Sequence, residues 1–72
     1  MEYNLTFLEA MDTLKRNDGW VQGEKFKKGN ILKDGLLNIV SHDFNTNTTH
    51  DVQLTYNIVN QFYRLVQFQK DA

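Results

Sequence analysis

The chain has 72 residues and a formal net charge of −1, from 8 Lys+Arg and 9 Asp+Glu, with no cysteine and no proline. This length supports a single domain, 1–72, that buries only about 60–65% of its unfolded surface, so burial between subunits would usefully supplement a thin core. The composition excludes disulfides and thiolate metal sites, and the charge argues against a protein that coats nucleic acid, which needs a clear positive excess.

The opening Met1-Glu2-Tyr3-Asn4 lacks the basic-then-apolar pattern of a signal peptide. No run nears the roughly 20 apolar residues of a membrane span. The expected location is therefore the cytoplasm in which the chain is made.

Residues 5–16 predict a helix, with its body at about 6–16. Thr6 and Glu9 have capping-box spacing. Phe7, Ala10, Met11 and Leu14 share one face with Leu8 beside them, and Lys15 and Arg16 suit the negative end of the helix dipole. Asn17-Asp18-Gly19 stops it.

From Trp20 the period changes to two, and the sheet is expected over about 20–68. Trp20–Phe26 reads as one strand or as two short pieces hinged at Gly23, and Lys27–Asn30 as a turn. Ile31–Asp34 and Leu36–Val40 form a hairpin around Asp34-Gly35, a pair that tolerates positive φ. Residues 41–50 are polar, and predict either a looser hairpin near Asn45–Asn47 or a loop. Asp51–Leu54 alternates, Asn57–Asn60 allows a helical turn, and Phe62–Phe68 closes the sheet as a strand, leaving 69–72 as a frayed tail. The fold class is α+β: one N-terminal helix on a small, mainly antiparallel sheet of about four to five short strands.

Little in the sequence points to catalysis. His42 and His50 each adjoin an aspartate, Asp43 and Asp51, but neighbours in an extended chain face opposite ways and form no dyad. The two histidines could meet across a hairpin and hold a metal, although a flexible turn opposes the rigid geometry this needs. Gly19, Gly23, Gly29 and Gly35 sit in turns, and none opens a helix as a phosphate loop must. The reading is no enzyme, no metal and no cofactor.

Two features point to binding. Lys25, Lys27, Lys28 and Lys33 cluster near the central hairpin. They are either edge lysines that discourage aggregation or point charges for an anionic ligand. Trp20, Phe26, Phe44, Tyr56, Phe62, Tyr63 and Phe68 supply rings. Most must fill a core or a subunit interface, but one or two left in a cleft could stack a base for about 1–3 kcal/mol.

Three segments carry a family resemblance. Thr6-Phe7-Leu8-Glu9-Ala10-Met11-Asp12-Thr13-Leu14-Lys15, Ile31-Leu32-Lys33-Asp34-Gly35 with Leu36–Ile39, and Asn57-Ile58-Val59-Asn60-Gln61-Phe62-Tyr63-Arg64-Leu65-Val66 resemble the opening helix, K-D-G hairpin and closing segment of the phage-encoded Thoeris anti-defence sponge family. The resemblance implies a homo-oligomeric α+β protein in the bacterial host cytoplasm. Such a protein sequesters a cyclic nucleotide-derived immune signal, such as a cyclic ADP-ribose isomer, without cleaving it.

By the same resemblance, an aromatic residue after the first strand stacks the base, a place taken here by Trp20 or Phe26. Tyr63 stands where a tryptophan is usual, and Gly23 and Glu24 replace an arginine pair. Together with the lysine cluster, this gives a candidate ligand set of Trp20, Lys25, Phe26, Lys27, Lys28 and Tyr63. A second expectation is a protein-interaction inhibitor that grips a host protein by strand addition, through the edge of Leu36–Val40 or through Phe62–Phe68. Weak single-strand binding ranks third.

Overall fold

The computed structural model describes residues 2–66. Helix α1 spans Phe7–Lys15. The strands are β1 Trp20–Gly23, β2 Asn30–Asp34, β3 Ile39–Asp43, β4 Thr48–Asp51 and β5 Tyr63–Val66, with a short helix α2, Tyr56–Val59, before the last. They form one antiparallel sheet in the order β4-β3-β2-β1-β5. The α+β class and the N-terminal helix on the sheet are as expected. The expected end of the last strand at Gln67-Phe68 and the tail 69–72 lie outside the described residues.

Helix α1 begins and ends for the reasons its sequence gives. The Thr6 hydroxyl accepts the Glu9 N–H at 3.2 Å, and the Glu9 carboxylate accepts the Thr6 N–H at 2.9 Å, so two orphan donors are satisfied reciprocally. These hydrogen bonds hold the Glu9 carboxyl below its usual range. At the other end Asn17 takes φ 59°, its N–H donates to Leu14 O at 3.1 Å, and the Asp18 N–H donates to Thr13 O at 3.2 Å. This is the pairing of a Schellman stop.

The helix buries Ala10 and Leu14 against Val21, Leu32 and Tyr63 from three neighbouring strands. Among the described residues Tyr63 is the largest buried side chain, with 0% exposure. Its ring meets Phe26 edge-on at 5.8 Å and Phe7 at 6.2 Å, and its hydroxyl donates to Ile58 O at 2.6 Å. Burial pushes its phenol up to about 12. Gly23 stands directly opposite Tyr63 in the ladder. A Cβ there would run into the Gln61 amide and the Phe26 ring, so this glycine is needed for close approach. Strand β1 stops there, and a turn closed by the Phe26 N–H on Gly23 O follows.

The two edges of the sheet differ. Leu5 exchanges two backbone hydrogen bonds with Tyr63, of 2.9 and 2.7 Å, which covers the outer side of β5 at that point. Strand β4 is the other edge, and all four of its residues are exposed. Strand β3 is paired on both sides. Of the Leu36–Val40 segment, Ile39 and Val40 therefore lie in an interior strand and the first residues form its turn, so it is not the exposed edge that strand addition would need. Residues 41–50 do form the second hairpin, with Asp43 opposite Thr48 and Asn47 at φ 55°.

The central hairpin forms, but it reverses later than expected. Asp34 pairs with Ile39, and the Gly35 N–H donates to Asn38 O at 2.8 Å, so the chain turns at Leu36-Leu37. Leu36 takes φ 77°, a conformation that suits glycine and costs a leucine about 1–2 kcal/mol. Asp34 Oδ1 steadies it by accepting the Leu36 N–H at 3.0 Å. The reason is register: Ile31 pairs with His42. A turn on Asp34-Gly35 would slide β3 by four positions and remove His42 and Phe44 from the ring cluster they make with Trp20.

Candidate functional site

Alternation in the strands decides which side chains share a face. Val21, Leu32 and Tyr63 face α1, so Trp20, Gln22, Ile31, Lys33, Val40, His42 and Arg64 take the opposite face. Among the described residues no helix covers it. The ladder sets Arg64 beside Gln22 and Ile31 beside His42.

Rings and cations meet on this open face. The Trp20 and Phe44 rings are 5.5 Å apart, and His42 meets Phe44 edge-on at 4.6 Å. In register beside His42, Ile31 is only 3% exposed. The His42 Nδ1 and Thr49 Oγ1 form a 2.8 Å hydrogen bond that fixes the imidazole. Lys33 Nζ stands 5.9 Å from the Trp20 ring centroid, within cation–π range.

Arg64 is held more tightly. Its Nε and Nη2 both donate to Gln22 Oε1, at 3.0 and 2.6 Å, and the Gln22 amide donates to Asn30 O at 3.1 Å. Its guanidinium lies 5.2 Å from the Tyr3 ring. Gln22 uses one oxygen to aim Arg64, leaving other guanidinium N–H groups for an acceptor.

The six sequence-predicted site residues do not form one constellation. Trp20 lies on the open face, half-buried. Phe26 is on the other side of the sheet, packed against the core. Tyr63 is within that core and has no surface to offer a ligand. Lys25 borders a cleft of about 350 Å³ at the start of α1 with Glu24, Gln61 and Phe62. Lys27 and Lys28 are exposed on the β1–β2 connection. Asn45 Nδ2 donates to Lys28 O at 2.8 Å, and the Phe44 N–H donates to Gly29 O at 2.9 Å. These bonds set that basic turn against the Phe44 end of the open face.

Lys33, grouped in the sequence with the other lysines, belongs beside Trp20. Phe44 stands in the sequence only as one ring among several and His42 only as a possible metal ligand, and Gln22 and Arg64 carry no signal there as single residues. The signal that could have found them is parity: Trp20/Gln22, Ile31/Lys33 and Val40/His42 each alternate onto one face.

His42 and His50 cannot share a metal across the hairpin. Thr49 stands opposite His42 and Ser41 opposite His50, so the two imidazoles lie on opposite faces. Among the described residues no group of three His, Asp or Glu comes together, and no helix is long and apolar enough to cross a membrane. No family model matches the chain, and no curated protein or solved structure is significantly similar to it.

Proposed function

We propose that the open face captures a nucleotide-derived anion and holds it intact, as a sponge for a signalling molecule. The observation that carries this reading is the juxtaposition of rings and cations. Lys33 stands 5.9 Å from the Trp20 ring, on the face where Gln22 aims Arg64 and Phe44 presents a partly exposed ring.

In this reading a base or ribose packs against the ring cluster, and phosphate oxygens take the Arg64 guanidinium and the Lys33 ammonium. Arg64 suits paired acceptors and Lys33 acts as a point charge. The Lys27-Lys28 turn adds positive potential at the Phe44 end. The resemblance of the sequence to the Thoeris anti-defence sponge family agrees with such a ligand, and with action in the cytoplasm of a phage-infected bacterium. A sponge works by lowering free ligand, so its affinity must approach nanomolar, about −12 kcal/mol.

The test is calorimetry against cyclic ADP-ribose isomers and cyclic dinucleotides, with Trp20 fluorescence followed in parallel. Trp20 is the only tryptophan in the chain, so its emission reports on this face. Heat, a change in emission and loss of both in Lys33→Gln and Arg64→Gln variants are expected. Heatless titrations across the panel would remove the reading.

One observation favours a second reading. Strand β4 is an edge whose four residues are all exposed, and an extended peptide from a host protein could add to it. Stoichiometric protein co-purification, abolished by a Thr49→Pro substitution, would be its mark.

A further inference from the structure

We propose that Gln22 is a positioning residue that turns Arg64 into an end-on fork for a phosphate group, and that the neutrality of its amide is what leaves the fork charged. The proposal rests on the open-face reading and names the chemical group that Arg64 grips there.

The chain has two arginines, Arg16 and Arg64, and they are held in opposite ways. Arg16 lies 2.6 Å from the Asp12 carboxylate and 3.8 Å from that of Asp18, so its charge is answered within the chain. Arg64 is half-buried and, among the described residues, meets no carboxylate within salt-bridge distance. A neutral amide takes the carboxylate's place. Gln22 Oε1 accepts from Nε at 3.0 Å and from Nη2 at 2.6 Å. Gln22 is only 8% exposed, and its own Nε2 donates to Asn30 O at 3.1 Å, which fixes the end of the amide that faces Arg64. A glutamate of the same shape could accept the same two bonds. It would also cancel the charge, and its second oxygen would face Asn30 O with no proton between them. Gln22 therefore orients the cation without discharging it. A partly desolvated cation with no counter-ion is unfavourable until an anion reaches it.

The same bonds decide which edge of the guanidinium is free. Of its five N–H groups, the one on Nε and one on Nη2 are taken by Gln22. The Tyr3 ring lies 5.2 Å from Cζ, within cation–π range, and occupies one side of the group. One N–H on each terminal nitrogen remains, the two side by side at the far end. Two parallel donors match two oxygens carried on one atom, which in a nucleotide-derived ligand is the phosphate. A sugar hydroxyl or a base edge offers no such charged pair. Lys33 stands on β2, two strands from β5, and as a point charge it sets where negative charge lies but not how it is oriented.

The experiment uses the full chain. Nitrogen-resolved NMR reads the Nε–H groups of the two arginines as separate signals, with Arg16 as the internal control. ADP-ribose is expected to shift the Arg64 signal and leave Arg16 in place. Adenosine, which has no phosphate, should move neither. Gln22→Glu should weaken ADP-ribose binding by about tenfold or more with unchanged circular dichroism. Gln22→Met keeps the volume and the neutrality but releases the guanidinium. It should broaden the Arg64 signal and weaken binding by less than Gln22→Glu does. The titration of the unsubstituted chain depends on neither variant folding. An Arg64 signal that ignores ADP-ribose while Trp20 emission responds would overturn the fork and leave the open-face reading intact. Silence in both would remove the two together. Equal losses in the Glu and Met variants would overturn the role given to neutrality.

Discussion

On the helix side of the sheet, Phe7 and Phe26 close on Tyr63, and α1 seals them with Ala10 and Leu14. On the other side Trp20 and Phe44 come together with His42, and Lys33 and Arg64 stand beside them. Both are ring clusters on one thin sheet, yet their neighbours give them different work. Apolar neighbours exclude water and turn rings into stability. Cationic neighbours keep an edge of the cluster polar and make it a place where a ring and an anion can be recognised together. If that contrast is right, damage to the first face should cost folding and damage to the second should cost binding.

The largest effect is expected from Tyr63→Ala. It empties the centre of the core and should cost about 3–5 kcal/mol, read as a collapse of the urea midpoint. Phe44→Ala, at a ring 37% exposed, should cost far less by the same measurement. Equal losses would erase the distinction between the faces.

Next comes Gly23→Ala, which drives a methyl into the Gln61 amide and the Phe26 ring. Overpacking of this kind costs about 1–3 kcal/mol. The substitution leaves the Trp20 side alone, so ligand affinity measured on the folded fraction should not move.

Tyr63 also sharpens the contrast through pH. Its phenol is raised by burial to about 12, against about 10 in an unfolded chain. The stability this represents is complete below pH 10 and is lost as pH rises toward 12, because the unfolded chain releases a proton that the folded one retains. A steep fall in melting temperature between pH 10 and 12 is expected. Tyr63→Phe should flatten it, at the expense of about 1 kcal/mol at neutral pH for the hydroxyl's bond to Ile58 O.

The smallest change in stability belongs to the open face. Lys33→Gln should shift the melting free energy by no more than about 0.5 kcal/mol and still abolish the calorimetric signal for a nucleotide ligand. A variant that unfolds, or one that binds as before, would remove Lys33 from the site.

Much of this architecture could be read before the coordinates. Thr6 and Glu9 announced the start of α1 and Asn17 its end, because caps are local chemistry. The central hairpin was legible as an event but not in its turn. Asp34-Gly35 is the better local choice, and Leu36 takes the strained position because the register of Ile31 with His42 is a property of the whole sheet. The site was the least legible part. Trp20 and Phe26 are close in the chain, and the turn after Gly23 sends them to opposite sides. Lys33 and Arg64 are distant in sequence and reach one face only through β1, which pairs with both of their strands.

The two-way backbone bridge between Leu5 and Tyr63 has a consequence for biosynthesis. Tyr63 arrives on β5, and that strand must settle between β1 and Leu5, a residue made well before it. A nascent chain that has not yet delivered residue 63 from the ribosome has a helix and hairpins but nothing to seal them. Native structure should therefore appear only after the chain has emerged past residue 63, since contacts between distant segments form late. Prematurely terminated products should be degraded, not stored.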